Sequence, residues 1–187
     1  MTGLFRISSP ALAAGIALLL SSCADTKHRL VVSVAQQRMA FFDQGKFVAM
    51  FPVSTSKFCL SDTPNSFGTP LGRMKIAQKI GDGQPLGMKF KDRKPTGEIV
   101  PVNAPGRDPV VTRILWLAGT EPHNSNTFGR DIYIHGTAEE YKLGKPASYG
   151  CVRMSSQQIA WLYDQVGVGA RVDILPGPLP PPDQLPK

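Results

Sequence analysis

The chain has 187 residues, 42% of them apolar, and a formal charge of +7. That length supports one domain with a real core, so the three cysteines are not needed as disulfide staples. The basic balance suits anionic surroundings, but the Lys and Arg residues are scattered. The densest run, residues 89–94, is interrupted by Asp92 and reads as a solvated loop, not a nucleic-acid surface.

The first residues read as an export signal. Arg6 is the only charged residue before Cys23, and an apolar run covers residues 11–20. A mature spanning helix needs about 20 apolar residues, whereas this run has the length of a signal-peptide core. Its end, Leu20-Ser21-Ser22-Cys23, resembles a bacterial lipobox. The resemblance implies removal of residues 1–22 and acylation of Cys23, giving a chain anchored to a membrane through an N-terminal lipid. With Ala24 next, it implies the periplasmic face of the outer membrane in a Gram-negative host. Ordinary secretory cleavage near the same place is the rival reading. A buried helix is a poorer one, because Pro10 and the Ser-Ser-Cys end suit it badly. Residues 23–29, with His28, then read as a linker, 30–175 as the domain and 176–187 as a Pro-rich tail with few backbone donors.

Within the domain, residues 30–34 are β-branched and apolar and predict a strand. Residues 38–43 and 47–53 flank the turn Asp43-Gln44-Gly45-Lys46 at hairpin spacing. After a turn at 68–72, the alternation of Met74, Ile76 and Ile80 predicts a strand over 73–80. Residues 82–106, rich in Gly, Pro, Lys and Asp, read as a long loop or lid with short strands. Residues 110–117 predict another strand, and 131–134 a short one that delivers His135 at its end. One helix is legible. Ser155 is its N-cap, Ile159, Leu162, Tyr163 and Val166 recur at helical spacing, and Gly167 terminates it. Residues 170–175 form a last strand. The expected fold class is mainly β with one helix packed on it.

Two segments carry chemistry: Ile132-Tyr133-Ile134-His135-Gly136-Thr137 and Ser148-Tyr149-Gly150-Cys151-Val152-Arg153-Met154. A thiol attacks as thiolate, so its proton must be taken, and a histidine in reach can take it. Cys151 sits in a turn just before the expected helix, where unpaired N–H groups could stabilise an oxyanion. Gly150 allows close approach of backbone to substrate, and Arg153 can pair with a carboxylate. One Cys and one His by themselves are more commonly a buried thiol and a structural imidazole. His123 lies in a Gly/Asn/Ser-rich loop and reads as solvated. Cys59 reads as a buried inert thiol, with a redox partner for Cys151 as the lesser alternative. No C-x-x-C or H-x-x-x-H spacing supports a metal site. Trp116 reads as core sooner than as a sugar-stacking platform.

The pattern His-Gly-Thr, a short spacer, then Ser-X-Gly-Cys-Val-Arg-Met resembles the signature of the L,D-transpeptidase (YkuD-like) catalytic domain. Gln37-Arg38-Met39, Phe51 to Ser56 and Phe67 to Gly72 resemble further segments of that family in the same order. The resemblance covers about residues 30–175. It implies a β-sandwich-like fold and a cysteine acyl-enzyme acting on peptidoglycan tetrapeptide stems, with no cofactor. It also implies roles. Cys151 attacks, His135 moves protons, and the Gly136 carbonyl orients the imidazole. Gly150 and Cys151 N–H groups serve the oxyanion, Arg153 binds a stem carboxylate, and Ser148 and Tyr149 shape the turn. Two departures stand out: Tyr149 where a histidine is common, and Ser56 where glycine is common. The acceptor would be a neighbouring stem, a protein such as one of the outer membrane, or water, the last giving an L,D-carboxypeptidase. A non-catalytic wall-binding lipoprotein is the reading from another class. A sortase-like enzyme also combines Cys, His and Arg, but the two motif segments argue against it.

Overall fold

The computed structural model describes residues 24–106 and 108–181. The expected signal segment, Cys23 and the last six residues lie outside the described residues.

The domain is one curled sheet of ten strands around a single helix. Its strands are β1 (His28–Ser33), β2 (Arg38–Asp43), β3 (Lys46–Pro52), β4 (Gly72–Ile80), β5 (Met88–Lys91), β6 (Lys94–Ile99), β7 (Val110–Gly119), β8 (Tyr133–Thr137), β9 (Val152–Met154) and β10 (Arg171–Leu175). The path runs β3-β2-β1-β10-β4-β7 and then divides: β5-β6 continue one branch, and β8-β9 the other. The division falls within β7. Its first residues, Val110 and Val111, pair with both β5 and β8, whereas its later residues pair with β4 and β8. Between the two halves the register shifts, and Thr112 sits at φ 71°. A bulge bends a strand and re-aims it. Buried Thr112 is held there by donating to Ser156 Oγ at 2.8 Å and accepting from Gly87 N–H at 3.0 Å.

Helix α1 (Ser156–Gln165) fills the concave face. Ser155 caps it by accepting from Gln158 N–H at 3.3 Å. Ile159, Leu162 and Tyr163 pack with Leu30, Ile76, Leu117 and Ile134 in the main core, as the helical spacing predicts. Most strand expectations match within a residue or two. The short strands expected within the 82–106 loop are the β5–β6 hairpin. Three readings change. His135 lies in the middle of β8, not at its end. The expected linker is docked: Asp25 N–H donates to Val168 O at 2.8 Å, and the Asp25 carboxylate accepts from the N–H groups of Lys27, His28 and Gly167. His28 belongs to β1 and pairs with that same carboxylate. The start of the Pro-rich tail is also docked, since Gly177 O accepts from Ser33 Oγ and Leu179 packs near Val31, Ala40 and Phe42.

Candidate active site

Strands β8 and β9 run parallel with Ile134 opposite Val152 and His135 opposite Arg153. Side chains alternate along a strand. Ile134, Val152 and Met154 therefore enter the core, while Tyr133, His135, Cys151 and Arg153 share the other face. That face opens on a cleft of about 430 Å³ whose lining includes Lys57, Asp108, His135, Tyr149, Cys151 and Arg153.

The turn that carries Cys151 is built from three sequence segments that are distant in the chain. Ser148 N–H donates to Thr55 O at 2.9 Å, and Lys57 N–H donates to Ser148 O at 3.1 Å. Ser54 and Arg153 exchange both backbone bonds at 3.0 and 2.9 Å. Thr69 Oγ1 donates to Gly150 O at 2.9 Å and accepts from Ser56 N–H at 2.9 Å. Gln37 in turn clamps Thr55, accepting from its N–H and donating to its hydroxyl, both at 2.8 Å. Gly150 is needed for conformation: φ is 124°, and a Cβ would stand 3.0 Å from Gly68 O. Ser148 Oγ donates to Cys151 O at 2.6 Å and accepts from Gly150 N–H at 3.2 Å, closing the turn on itself.

His135 Nδ1 lies 2.8 Å from Gly136 O. A carbonyl only accepts, so Nδ1 carries the hydrogen and the Nε2 lone pair of the neutral ring is left for a proton. Burial holds the imidazole down to about 4, against the Gly136 bond and the Asp108 charge, which both favour the cation. The half-buried Cys151 Sγ lies 3.4 Å from Tyr133 N, which donates to it, and 3.4 Å from Asp131 O, which can accept its proton. Burial pushes this thiol up to about 11, opposed by the Tyr133 N–H and the Arg153 charge. Burial favours the neutral form of both groups. The arrangement puts the thiol and the imidazole in one cleft. It can perform nucleophilic attack with proton transfer in the same step.

Arg153 differs from the expectation that it binds a substrate carboxylate. Its guanidinium is buried, with Nε 3.1 Å from Asp108 Oδ2 and a terminal nitrogen 3.1 Å from Glu139 Oε2. The charge is therefore met inside the protein. Asp108 also accepts from Thr137 Oγ1 and Ala138 N–H, and Lys142 pairs with Glu139 at 2.6 Å. Gly150 N–H, expected to serve an oxyanion, is engaged by Ser148. Cys151 N–H donates to no side chain or loop carbonyl among the described residues. The helix N-terminus is not at the thiol either: β9 intervenes, and Ser156 N–H donates to Glu140 at 2.8 Å. Tyr149 is exposed and packs on Phe58 and Phe67. Cys59 is exposed, not buried. His123 is exposed and does not line the cleft. Asp108 and Glu139 escape sequence reasoning. One follows a polar loop and the other sits in an acidic pair after the His-Gly-Thr segment, and no spacing ties either to Arg153. No cluster that could hold a metal ion occurs among the described residues.

A β domain with a histidine on β8 and a cysteine in the turn that enters the parallel strand β9 is thus the class that fold and site define. The chain belongs to the L,D-transpeptidase (YkuD) family, whose catalytic-domain model matches residues 27–174. It is 28% identical over 159 residues to the probable L,D-transpeptidase YbiS of Escherichia coli K12, covering 83% of this chain and 47% of that one. It is likewise 28% identical over 153 residues to the probable L,D-transpeptidase ErfK/SrfK of the same strain, covering 80% and 44%. The chain thus spans about half the length of the curated relatives it matches. A crystal structure of L,D-transpeptidase 3 from Mycobacterium tuberculosis with a faropenem-derived adduct superposes with a TM-score of 0.51 at 18% identity, over 79% of this chain and 60% of that one.

Proposed function

We propose that the chain is a peptidoglycan L,D-transpeptidase that works through a thioester on Cys151. The observation that supports this best is the Nδ1–H of His135 tied to Gly136 O, which leaves Nε2 unprotonated on the strand face that carries the thiol. Cys151 Sγ attacks the carbonyl that joins the L-centre of a tetrapeptide stem to its terminal D-residue, and its proton passes to Nε2. The backbone N–H of Cys151 faces the oxyanion. The imidazolium returns the proton to the departing amine, the C–N bond breaks and the thioester forms. An incoming amine of a second stem or of a protein then loses its proton to Nε2 and displaces the thiol. We further propose that the mature chain begins at an acylated Cys23 and works at a membrane surface, in keeping with the Leu-Ser-Ser-Cys segment.

The test is to incubate the mature protein with a carbapenem and read intact and peptide masses. A stable adduct on Cys151, absent in Cys151→Ala and slowed in His135→Ala, is the expected result. No adduct with both thiols reduced would favour a non-catalytic wall-binding protein or a cleft closed to that ligand. Product masses from a tetrapeptide with and without an added acceptor stem separate cross-linking from L,D-carboxypeptidase action.

A further inference from the structure

Beside the thiol, the cleft runs onto a patch of exposed rings. Phe58, Phe67 and Tyr149 are 52%, 53% and 56% exposed, and their ring centroids lie 5.1 to 5.8 Å apart. The Lys57 ammonium sits 5.1 Å from the Phe58 ring and 4.7 Å from the Tyr149 ring, at the edge of the group. Grouped, exposed aromatic rings on a soluble domain mark a surface with a use.

The patch is also held in place at a conformational cost. Phe67 sits at φ 55°, a left-handed conformation that a bulky residue seldom adopts. Its carbonyl accepts from Ser56 Oγ at 2.7 Å, and the same hydroxyl accepts from Phe58 N–H at 3.0 Å. Ser56 therefore fixes both phenylalanines at once. Behind them Arg130 donates to Ser61 O and Gly68 O and pairs with Asp62 in a buried bridge, so the loop is rigid and its rings are preorganised. Strain retained in a well-braced segment points to function. Trp116, the other candidate for a stacking surface, is stacked on Phe128 at 4.1 Å with the Arg93 guanidinium over its ring.

We infer that the Phe58–Phe67–Tyr149 patch is a subsite for the saccharide portion of the substrate, its rings stacking on the C–H face of a pyranose while Lys57 donates to the hydroxyl rim. The inference rests on the proposed reaction, because a stem seated at Cys151 is covalently joined to glycan that must leave the cleft on one side. Elsewhere in the cleft lining Arg153, Asp108, Glu139 and Lys142 are paired with one another. The ring side offers uncovered apolar faces next to a cation with no carboxylate partner among the described residues. A polypeptide partner would use more surface than three rings.

Binding decides it without turnover. Dissociation constants of a disaccharide-tetrapeptide and of the free tetrapeptide are measured on Cys151→Ala, with and without Phe58→Ala and Phe67→Gly. Glycine tolerates the positive φ, so the loop survives and only the ring is lost. The disaccharide form should bind about tenfold tighter, as stacking on two rings provides, and the ring variants should bring the two ligands within about twofold. Equal affinities at the start, or a preference that survives in folded ring variants, would overturn the inference. So would ring variants that weaken a polypeptide acceptor and leave the saccharide preference intact. Failure of the stem to acylate native Cys151, with the saccharide preference present, would instead sink the reaction and not the subsite.

Discussion

Exchanging His135 for Gln isolates a single ionisation and so turns the burial of the imidazole into a number. The ring sits in the folded protein at about 4, against 6.5 when solvated. The shift is downward, so the stability it carries is fully present above 6.5 and is lost as pH falls through 4. Between those values the unfolded chain binds a proton that the folded chain refuses. At 1.36 kcal/mol per pH unit, the loss from pH 7.5 to pH 4 is roughly 3 kcal/mol. Urea unfolding of wild type and His135→Gln, at half-unit steps over that range, gives the difference directly. The wild-type curve should fall more steeply than the variant curve by about that amount. Parallel curves would show that the ring is reached by water or already charged, and the neutral-base reading would fail with it.

Three further outcomes follow from the same site. Arg153→Met leaves the buried carboxylates of Asp108 and Glu139 without their shared cation and should cost about 3–5 kcal/mol in chemical denaturation; a loss below about 1 kcal/mol would place the pair in solvent. Gly150→Ala forces a Cβ against Gly68 O at a positive φ, so it should lower stability by about 1–3 kcal/mol and slow acylation of Cys151 at least as much as it lowers stability, read by time-resolved mass spectrometry. On the alkaline side Cys151 is raised from 9.0 to about 11. Its contribution is therefore whole below pH 9 and fades as pH rises through 11, and Cys151→Ser should flatten that limb of the melting curve.

What the sequence disclosed, and what it concealed, divides along physical lines. Helix α1 was legible because one face of Ile159, Leu162 and Tyr163 must be buried and Ser155 must cap it, both local demands. His135, Gly136 and Cys151 were legible because they lie in two compact motif segments, although β9 between Cys151 and the helix was not. Three residues of parallel pairing leave no periodicity to detect, so the helix N-terminus was placed at the thiol when Glu140 occupies it. The internal partners of Arg153 were hidden for a similar reason. From the sequence it is a cation two residues after the nucleophile. Only the fold brings Asp108, from before β7, and Glu139, from after β8, to the same guanidinium. The docking of residues 24–29 was hidden as well, since a short polar run shows no sign that Asp25 will gather N–H groups from both its own turn and Gly167.

These pairings also bear on the protonation of Cys151. A guanidinium alone beside Cys151 would favour thiolate, and a carboxylate alone beside His135 would favour imidazolium. Together they would pull the proton across before any substrate arrived. Arg153, Asp108, Glu139 and Lys142 instead satisfy one another, so the opposing fields are small and desolvation is the largest influence on both the thiol and the ring. Charge then develops only when a carbonyl is present to receive the sulfur and a backbone N–H to meet the oxygen. A neutral thiol is also a poor target for oxidation and for disulfide exchange. Cys59 lies exposed on the loop that ends at Gly68, whose carbonyl faces Gly150 in the turn of the nucleophile. Desolvation, which favours the neutral Cys151 thiol, therefore also disfavours its oxidation.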